Sequence, residues 1–341
     1  MTRSSLFLML FAGLGCTKPV EHTVNLAIWS NYVAPETLEQ FKKETGITVV
    51  VTNYSSNEEL LAKLQAGATG YDVAVPSDYM VFSMAKLGLL TELDRQKITN
   101  AQQLDPHYLK RDFDSTNRFS LPYDWGTTGI AVNRALYKGQ VKGWKDLFTK
   151  AELAGKFSIL DDPREAIGAA LKSLGYSLNS QNPKELAQAK AVLVAAKKRV
   201  KAFTSETLAG LTSGELMVAH AYSSDALQAR KATGGKIDFV IPEEGGTVWI
   251  DNLVIPKGAK NVAEAHQLIN FLLSPAVAVK TAQAILVAPS NQDAVKLLSA
   301  ELRGNAMLFP AESTLSRSEL LRDLGAGSAL FDRTWTEIKA E

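Results

Sequence analysis

Residues 24–54, VNLAIWSNYVAPETLEQFKKETGITVVVTNY, decide the fold of this chain. They predict an apolar strand (VNLAIW), an amphipathic helix from Pro35 to the stop at Gly46, and a second apolar strand (ITVVVTNY). The helix NEELLAKLQAG (57–67) and the strand YDVAVP (71–76) repeat the alternation. Continuous apolar strands separated by amphipathic helices predict an α/β fold, built on a parallel sheet that is covered on both faces.

Length, composition and charge limit the classes of protein to which the chain can belong. At 341 residues it suits two domains, and 46% hydrophobic with 21% charged residues is typical of a globular protein. The formal net charge of +1 argues against nucleic-acid binding and against a membrane-binding face that acts by charge. After residue 23 no apolar stretch approaches the length of a bilayer span.

The first 16 residues, MTRSSLFLMLFAGLGC, differ in composition from the rest of the chain. Arg3 precedes an apolar segment, small residues follow, and the only cysteine, Cys16, ends a stretch that resembles a bacterial lipoprotein box. We predict a lipoprotein-type signal peptide over residues 1–15, lipidation of Cys16, and a tether over residues 16–22. The protein would then lie in the periplasm, or at the surface of a single-membrane cell, held to the membrane only by its lipid. The alternatives are an ordinary signal peptide cut elsewhere and a first buried strand.

Two stretches mix Gly, Pro and aromatic residues with β-forming residues: LPYDWGTTGIAVN (121–133) and EEGGTVWIDNLVIP (243–256). We interpret both as strands that cross between two domains, where ligand sites and hinges are common. In the second stretch, the two-residue period of a strand places Trp249 and Asp251 on one face. A ring face beside a carboxylate favours an organic cation, and an exposed sheet edge is the alternative.

The sequence offers little for catalysis. None of its four His has metal-ligand spacing or a visible nucleophilic partner, and no phosphate-binding glycine motif is present. His220 is expected to be a strand residue and not a general base. The acids Asp162 and Glu165 could act together in hydrolysis, or be ordinary first-turn acids of a helix. We therefore predict no metal, no cofactor and no enzymatic activity, and a hydrolase that uses this acid pair is the alternative.

Aromatic residues stand beside acids or hydroxyls at the predicted carboxyl ends of five strands. In open α/β sheets ligands bind beyond those ends, so the five loops could converge. Each residue also has a purely structural interpretation, as core, cap or first-turn acid, but the five loops together indicate a binding site. The predicted ligand-binding residues are Trp29, Ser30, Tyr32, Ser77, Asp78, Tyr79, Asp162, Glu165, Tyr222, Asp225, Trp249 and Asp251.

Several longer stretches resemble one family. They include IWSNYVAPETLEQFKKETGI (28–47), SSNEELLAKLQAGATGYDVAVPS (55–77), LPYDWGTTGIAVN, DDPREA (161–166) and WIDNLVIPKGAKN (249–261). Together they resemble the periplasmic polyamine-binding proteins of ABC transporters, the spermidine and putrescine receptors of bacterial extracellular solute-binding protein family 1. The resemblance covers nearly everything from Val24 to the C-terminus.

The resemblance implies a two-lobed type II periplasmic-binding-protein fold, with crossover strands and an interdomain cleft. One lobe would hold residues 21–127 and 251–295, and the other residues 128–250 and 296–341. The implied function is to capture a polyamine in the cleft, as a monomer, and to deliver it to an ABC transporter permease. The alternatives are a polyamine sensor for a membrane signalling protein and the same fold with another small ligand.

The resemblance also implies a role for each site residue. In that family, aromatic residues matching Trp29, Tyr222 and Trp249 surround the methylene chain of the ligand. The matches of Asp162, Glu165, Asp225 and Asp251 hold the amines, and those of Ser30, Tyr32, Ser77 and Tyr79 line the mouth or make hydrogen bonds. Asp162 and Trp249 look like the spermidine branch, whereas Asp225 looks like the putrescine branch, so the choice of polyamine stays open.

Overall fold

The computed structural model describes residues 22–67 and 70–341. The predicted signal peptide, Cys16 and nearly all of the predicted tether lie outside the described residues. The strands are β1 (Thr23–Trp29), β2 (Thr48–Tyr54), β3 (Val73–Ala74), β4 (Leu90–Thr91), β5 (Ser120–Asn133), β6 (Phe157–Ile159), β7 (Ala202–Phe203), β8 (Val218–Tyr222), β9 (Ile237–Val240), β10 (Thr247–Pro256), β11 (Ala288–Pro289) and β12 (Glu319–Leu320).

The α-helices are α1 (Pro35–Thr45), α2 (Asn57–Gln65), α3 (Asp78–Lys86), α4 (Trp144–Thr149), α5 (Pro163–Ser173), α6 (Pro183–Lys197), α7 (Thr207–Ser213), α8 (Ser223–Ala232), α9 (Val262–Leu272), α10 (Pro275–Ile285), α11 (Gln292–Leu297), α12 (Ala300–Arg303), α13 (Glu312–Leu315) and α14 (Ser328–Ala340). Short 3-10 helices span Arg95–Lys97, Thr99–Gln103, Pro106–Tyr108, Ala151–Leu153 and Gly325–Gly327. The first predicted helix is confirmed: Pro35 opens α1, and Gly46 closes it in the left-handed conformation, at a φ of 76°.

The strands join in the order β2-β1-β3-β10-β5-β8-β6-β7. The pairs β1–β2 and β1–β3 are parallel, as the sequence predicts, and so are β6–β7 and β6–β8. The predicted parallel pairing does not extend through the whole sheet, because β10 is antiparallel to β3 and β5, and β5 is antiparallel to β8. The sheet is mixed because β5 and β10, the two predicted crossover strands, connect the two parallel halves.

Helices cover both faces of each half. In the N-terminal half, Leu26 and Ile28 of β1 pack into a first core with α1, α9 and α10, whereas Ala27 packs on the opposite face with α2 and α3. In the other half, Ile130 and Val132 of β5 pack into a second core with α4, α5, α6 and α14, and Ala131 faces α7 and α8. The alternation of side chains along each strand therefore gives each half apolar packing on both faces of the sheet, and the crossover strands join the halves.

The apolar pattern after β10 continues without interruption from residue 262 to residue 285, but the structure has two helices there. Helix α9 ends at Leu272 and α10 starts at Pro275, with an angle of 73° between them. Proline has no backbone N–H and clashes with the preceding turn, so it starts a helix better than it continues one. Among the described residues no single helix meets the length and hydropathy of a membrane span; α9 and α10 meet them only as a bent pair.

Candidate functional site

A narrow cavity of about 80 Å³ lies between the two cores, at the crossover strands. The carboxyl ends of β1, β2 and β8, the starts of α3, α5 and α8, and strand β10 all contribute to it. We call it the cleft cavity. It is lined by Trp29, Ser30, Asn31, Tyr32, Tyr54, Ser55, Asn57, Ser77, Tyr79, Asp162, Glu165, Ser205, Glu206, Tyr222, Ser224, Asp225, Trp249, Asp251 and Leu321.

The carboxylate of Asp251 lies at the crossover strand β10 and is buried. It accepts a hydrogen bond from Ser77 Oγ at 2.7 Å, and Asn57 Nδ2 donates to the same Ser77 hydroxyl at 3.1 Å. Ser77 stands at the N-terminal position of α3, but its side chain makes no capping hydrogen bond, because it is directed to Asp251 instead. Burial raises the pKa of Asp251 to about 7, although the Ser77 and Tyr32 hydroxyls lower it.

Glu165 and Asp162 come together at the start of α5. Asp162 caps the helix, since its Oδ1 accepts from the backbone N–H groups of Arg164 and Glu165 at 2.8 and 3.0 Å. Glu165 accepts hydrogen bonds from Thr128 on β5 at 2.9 Å and Thr247 on β10 at 2.7 Å. Burial raises the pKa of both carboxyls, and the charge of Glu165 raises that of Asp162 further. The two acids are thus a helix cap and its neighbour, each also facing the cleft cavity.

Asp225 and Tyr222 stand where β8 meets α8. Asp225 is buried in the first turn of α8 and accepts a hydrogen bond from Thr207 Oγ1 at 2.7 Å. Burial raises its pKa to about 6, and the nearby Glu206 adds to the rise. This part of the site supplies a fourth carboxyl group, whose side-chain hydrogen bond comes from Thr207.

Aromatic rings form the remaining walls. Tyr222 and Tyr32 both lie 6.3 Å from Trp249, centroid to centroid, in edge-to-face arrangements. Trp29 packs on Tyr54 at 4.7 Å, and its indole N–H donates to the Val75 carbonyl at 2.9 Å. The rings give the cavity apolar faces with negative potential, which attract both methylene groups and cations.

The charges around the cleft cavity are almost entirely negative. No Lys or Arg lines it in the part of the chain that the structure describes. Among the described residues Arg164 is the only Arg or Lys that is buried, and its guanidinium lies 4.9 Å from the ring of Tyr79 and 5.1 Å from that of Phe331. Several buried carboxyls with raised pKa and too few countercharges make a site that a bound cation would complete.

The predicted ligand-binding residues lie together in the structure, with one exception. The structure brings all of the predicted ligand-binding residues to the cleft cavity except Asp78. Asp78 lies in the first turn of α3 and faces a second cavity of about 720 Å³, on the other side of the crossover strands. Val248 and Ile250 line that second cavity, so β10 does direct alternate residues to opposite sides, as its two-residue period predicts.

Sequence reasoning missed several residues of the cavity wall. Tyr54, Ser55 and Asn57 follow the carboxyl end of β2, and the rule that found the other loops would have found this one. Glu58, the next residue along, is half-buried and accepts a hydrogen bond from Tyr79 Oη at 2.9 Å. Ser205, Glu206 and Leu321 carry no local signal, because they reach the cavity only through the tertiary fold.

The side chains around the cleft cavity suit ligand binding better than catalysis. His220 is a strand residue of β8, as predicted, and its Nε2 is 4.0 Å from Glu165 Oε2. Burial lowers the pKa of His220 to about 3, so the imidazole is neutral and makes no ion pair with that carboxylate. Within residues 22–67 and 70–341, no three His, Cys, Asp or Glu side chains are grouped as metal ligands.

Residues 36–308 match the model of a family described as bacterial extracellular solute-binding protein. The chain belongs to this family. It is 42% identical over 315 residues to the spermidine/putrescine-binding periplasmic protein of Escherichia coli strain K12, covering 92% of this chain and 90% of that protein. As a member of a family of binding proteins associated with transport, it is not an enzyme, and the hydrolase alternative for Asp162 and Glu165 is set aside.

Solved structures of family members confirm the fold. A putative spermidine/putrescine ABC transporter protein from Listeria monocytogenes superposes with a TM-score of 0.89 at 35% identity, over 94% of this chain and 99% of that one. A lipoprotein of Treponema pallidum superposes with a TM-score of 0.80 at 32% identity, over 93% and 99%. The predicted two-lobed periplasmic-binding-protein fold is confirmed, and the location of the solute-binding family is periplasmic or extracellular.

Proposed function

We propose that this protein captures a polyamine, putrescine or spermidine or both, in the cleft cavity. The observation that carries the proposal is the set of buried carboxyls Glu165, Asp225 and Asp251, which face aromatic walls and no Lys or Arg in the described chain. A polyamine is a chain of methylenes with ammonium groups that are charged near neutral pH. Its methylene groups match the aromatic walls of the cavity, and its ammonium groups match the carboxyls. The Escherichia coli relative is named a spermidine/putrescine-binding protein, which agrees with the proposal.

The energies are adequate for tight binding. Each aromatic face beside a cation contributes about 0.5–2 kcal/mol, and each hydrogen bond to a charged group about 1.5–3 kcal/mol. Micromolar affinity requires about 8 kcal/mol after the costs of association. Two or three rings and two to four carboxyls therefore suffice, and the cleft cavity supplies that set.

The two lobes would close around the ligand. We assign residues 21–127 and 251–295 to one lobe, and residues 128–250 and 296–341 to the other. Glu165 approaches the hinge from α5 and contacts Thr128 and Thr247 on the two crossover strands. A ligand held by Glu165 from one side and Asp251 from the other favours the closed form, which an ABC transporter permease would then recognise.

The predicted anchor belongs to the same proposal. A lipid on Cys16 would hold the protein at the membrane beside its permease, and the Treponema pallidum relative is itself a lipoprotein. The full-length protein should partition with membranes, and Cys16→Ser should release it or block processing. Mass spectrometry that finds an unmodified N-terminus beyond Cys16 would exclude the anchor while leaving ligand capture intact.

Calorimetry with putrescine, cadaverine, spermidine and agmatine tests the ligand class. At least one should bind with micromolar or better affinity, whereas 1,4-butanediol, a diol with the same carbon chain and no charge, should not bind. Equal binding of the diol, or no binding of any amine, would contradict the proposal. Native mass spectrometry after incubation should recover each amine unchanged.

A further inference from the structure

Asp124 is a buried acid that the proposed binding site does not use. It lies on β5 directly opposite Asp251 on β10, as its antiparallel register partner. Directly opposed residues on neighbouring strands point to the same face, with their Cβ atoms about 4.5–5.5 Å apart. The exposed fraction is 1% for Asp124 and 4% for Asp251, so both carboxyl groups are shielded from water.

The two carboxyls differ in their partners. Asp251 accepts from Ser77 Oγ, whereas Oδ2 of Asp124 has no hydrogen-bond partner among the described residues. No Lys, Arg or His of the described chain acts on the charge of either carboxyl. The titratable groups that interact electrostatically with the pair are Tyr32 after β1, Tyr54 of β2, Asp78 of α3, Tyr123 of β5 and Tyr222 of β8.

Two opposed carboxylates without a countercharge cannot both be ionised at little cost. Burial, and then the charge of Asp251, raise the pKa of Asp124 well above its usual range. Like charges directly opposite on paired strands are destabilising, and a shared proton removes that repulsion. The pair therefore titrates as a unit.

We propose that Asp124 and Asp251 form a carboxyl pair that keeps a proton while the cleft is empty and releases it when a ligand ammonium binds at Asp251. The inference rests on the proposed function, since it needs a cationic ligand. The O–H bond of the protonated carboxyl breaks, its electron pair stays on the oxygen, and the proton passes to solvent. The pair goes from one negative charge to two as the ammonium adds one positive charge. Asp124 is thus a positioning residue, which sets the charge that Asp251 offers.

The sign of the pH dependence follows from this exchange. The ligand lowers the pKa of the pair, so the empty protein binds more protons than the complex between the two pKa values. Affinity then rises with pH across that window, by up to about tenfold per pH unit for one proton released. The ligand amines stay protonated there, because their pKa lies near that of lysine, about 10.4.

The test is calorimetry with putrescine in pairs of buffers that differ in ionisation heat, between about pH 6 and 8. The difference in binding enthalpy between the two buffers gives the number of protons released on binding. Asp124→Asn, which keeps the shape but cannot ionise, should release fewer protons than wild type, by up to one, and should show a flatter rise of affinity with pH. Asp238→Asn is the control, because Asp238 pairs with Arg134 and Arg230 away from the cleft, and it should match wild type.

The outcomes separate the two proposals. Equal proton release in wild type and Asp124→Asn would overturn the carboxyl pair and leave ligand capture standing. Wild type that binds no amine would overturn ligand capture, and the carboxyl pair with it. Infrared spectroscopy keeps the test decisive if Asp124→Asn does not fold. The band of a protonated carboxyl in empty wild type should weaken when putrescine is added, and an unchanged band would contradict the pair.

Discussion

Thr128 and Thr247 are register partners on the two crossover strands, and their hydroxyls donate to the two oxygens of the same carboxylate, that of Glu165. Glu165 itself comes from α5, so one side chain connects a helix to both crossover strands. Because these hydrogen bonds lower the pKa of the buried acid, they keep it closer to the ionised form that a cation requires.

Glu165→Gln removes the charge and should weaken polyamine binding by about 1.5–3 kcal/mol, or roughly ten- to a hundredfold. Thr128→Val removes one donor and should cost less, about 0.5–1.5 kcal/mol. Calorimetry gives both values. Thr149→Val is the matched control, because the Thr149 hydroxyl bonds only its own helix α4 and is exposed; a loss of affinity in this variant would show that the effect is not local to the site.

Asp251→Asn tests the ammonium contact on β10, and it should weaken binding by about 1.5–3 kcal/mol. Trp249→Leu keeps some apolar area but loses the ring face, so its cost should be smaller, about 0.5–2 kcal/mol. Raising the salt concentration should reduce the Asp251 effect more than the Trp249 effect, since only the first depends on charge. Glu36→Gln, on exposed α1, should bind as wild type does. Normal polyamine affinity in a folded Asp251→Asn protein would rule out this contact.

The raised pKa values of the cleft acids predict opposite effects of pH on binding and on the stability of the empty protein. Asp225 has a pKa of about 6, and Glu165 and Asp251 of about 7. Protonation of these groups removes the charge that holds the ligand, so affinity should fall from about pH 8 to 5.

Stability should move the other way. A carboxyl whose pKa is higher in the folded than in the unfolded state makes the folded protein bind more protons, so stability rises as pH falls through the folded pKa. His220, whose pKa is lowered to about 3, has the opposite effect on stability below about pH 6.5. It is one group against several acids, so the effect of the acids prevails. Thermal unfolding without ligand should therefore give a higher Tm near pH 5.5 than near pH 8, and added putrescine should reverse the order. A ligand-induced Tm shift that is the same at both pH values would contradict the prediction.

Gly126 leaves room for the Trp249 ring because glycine has no Cβ. A Cβ at this position would lie 2.4 Å from Trp249 Cζ2 and 2.5 Å from Cη2, closer than atoms approach without a shift. Gly126→Ala should therefore displace the indole and lower polyamine affinity about as much as Trp249→Leu. Gly70→Ala meets no atom within 4 Å and should bind normally. Tryptophan fluorescence of the empty proteins should differ from wild type only in Gly126→Ala.

Local periodicity explains which parts of the site could be predicted. The two-residue period of β10 places Trp249 and Asp251 on the cleft side and Val248 and Ile250 on the other, and the structure agrees. The same reasoning does not apply to Asp78, because Asp78 begins helix α3. Successive side chains of a helix are rotated by about 100° and do not alternate between two faces.

Tertiary packing explains what could not be predicted. Asp124 looks like one polar residue in a strand, and only the register of β5 against β10 shows that it faces Asp251. The break at Pro275 is similar, since the apolar pattern continues across it while the chain bends. Strand and helix order, by contrast, follow from the alternation that starts at residue 24.

The two cores described above are interleaved along the chain, and this fixes the order in which they can form. The first core uses residues from Val24 to Tyr123 and then from Trp249 to Val287, whereas the second uses Ile130 to Val218 and Leu324 to Ile338. A growing chain therefore cannot complete either core until most of its length has been synthesised. Such long-range closure is slow compared with local helix formation. We therefore expect the newly made polypeptide to stay loosely packed until it is almost finished.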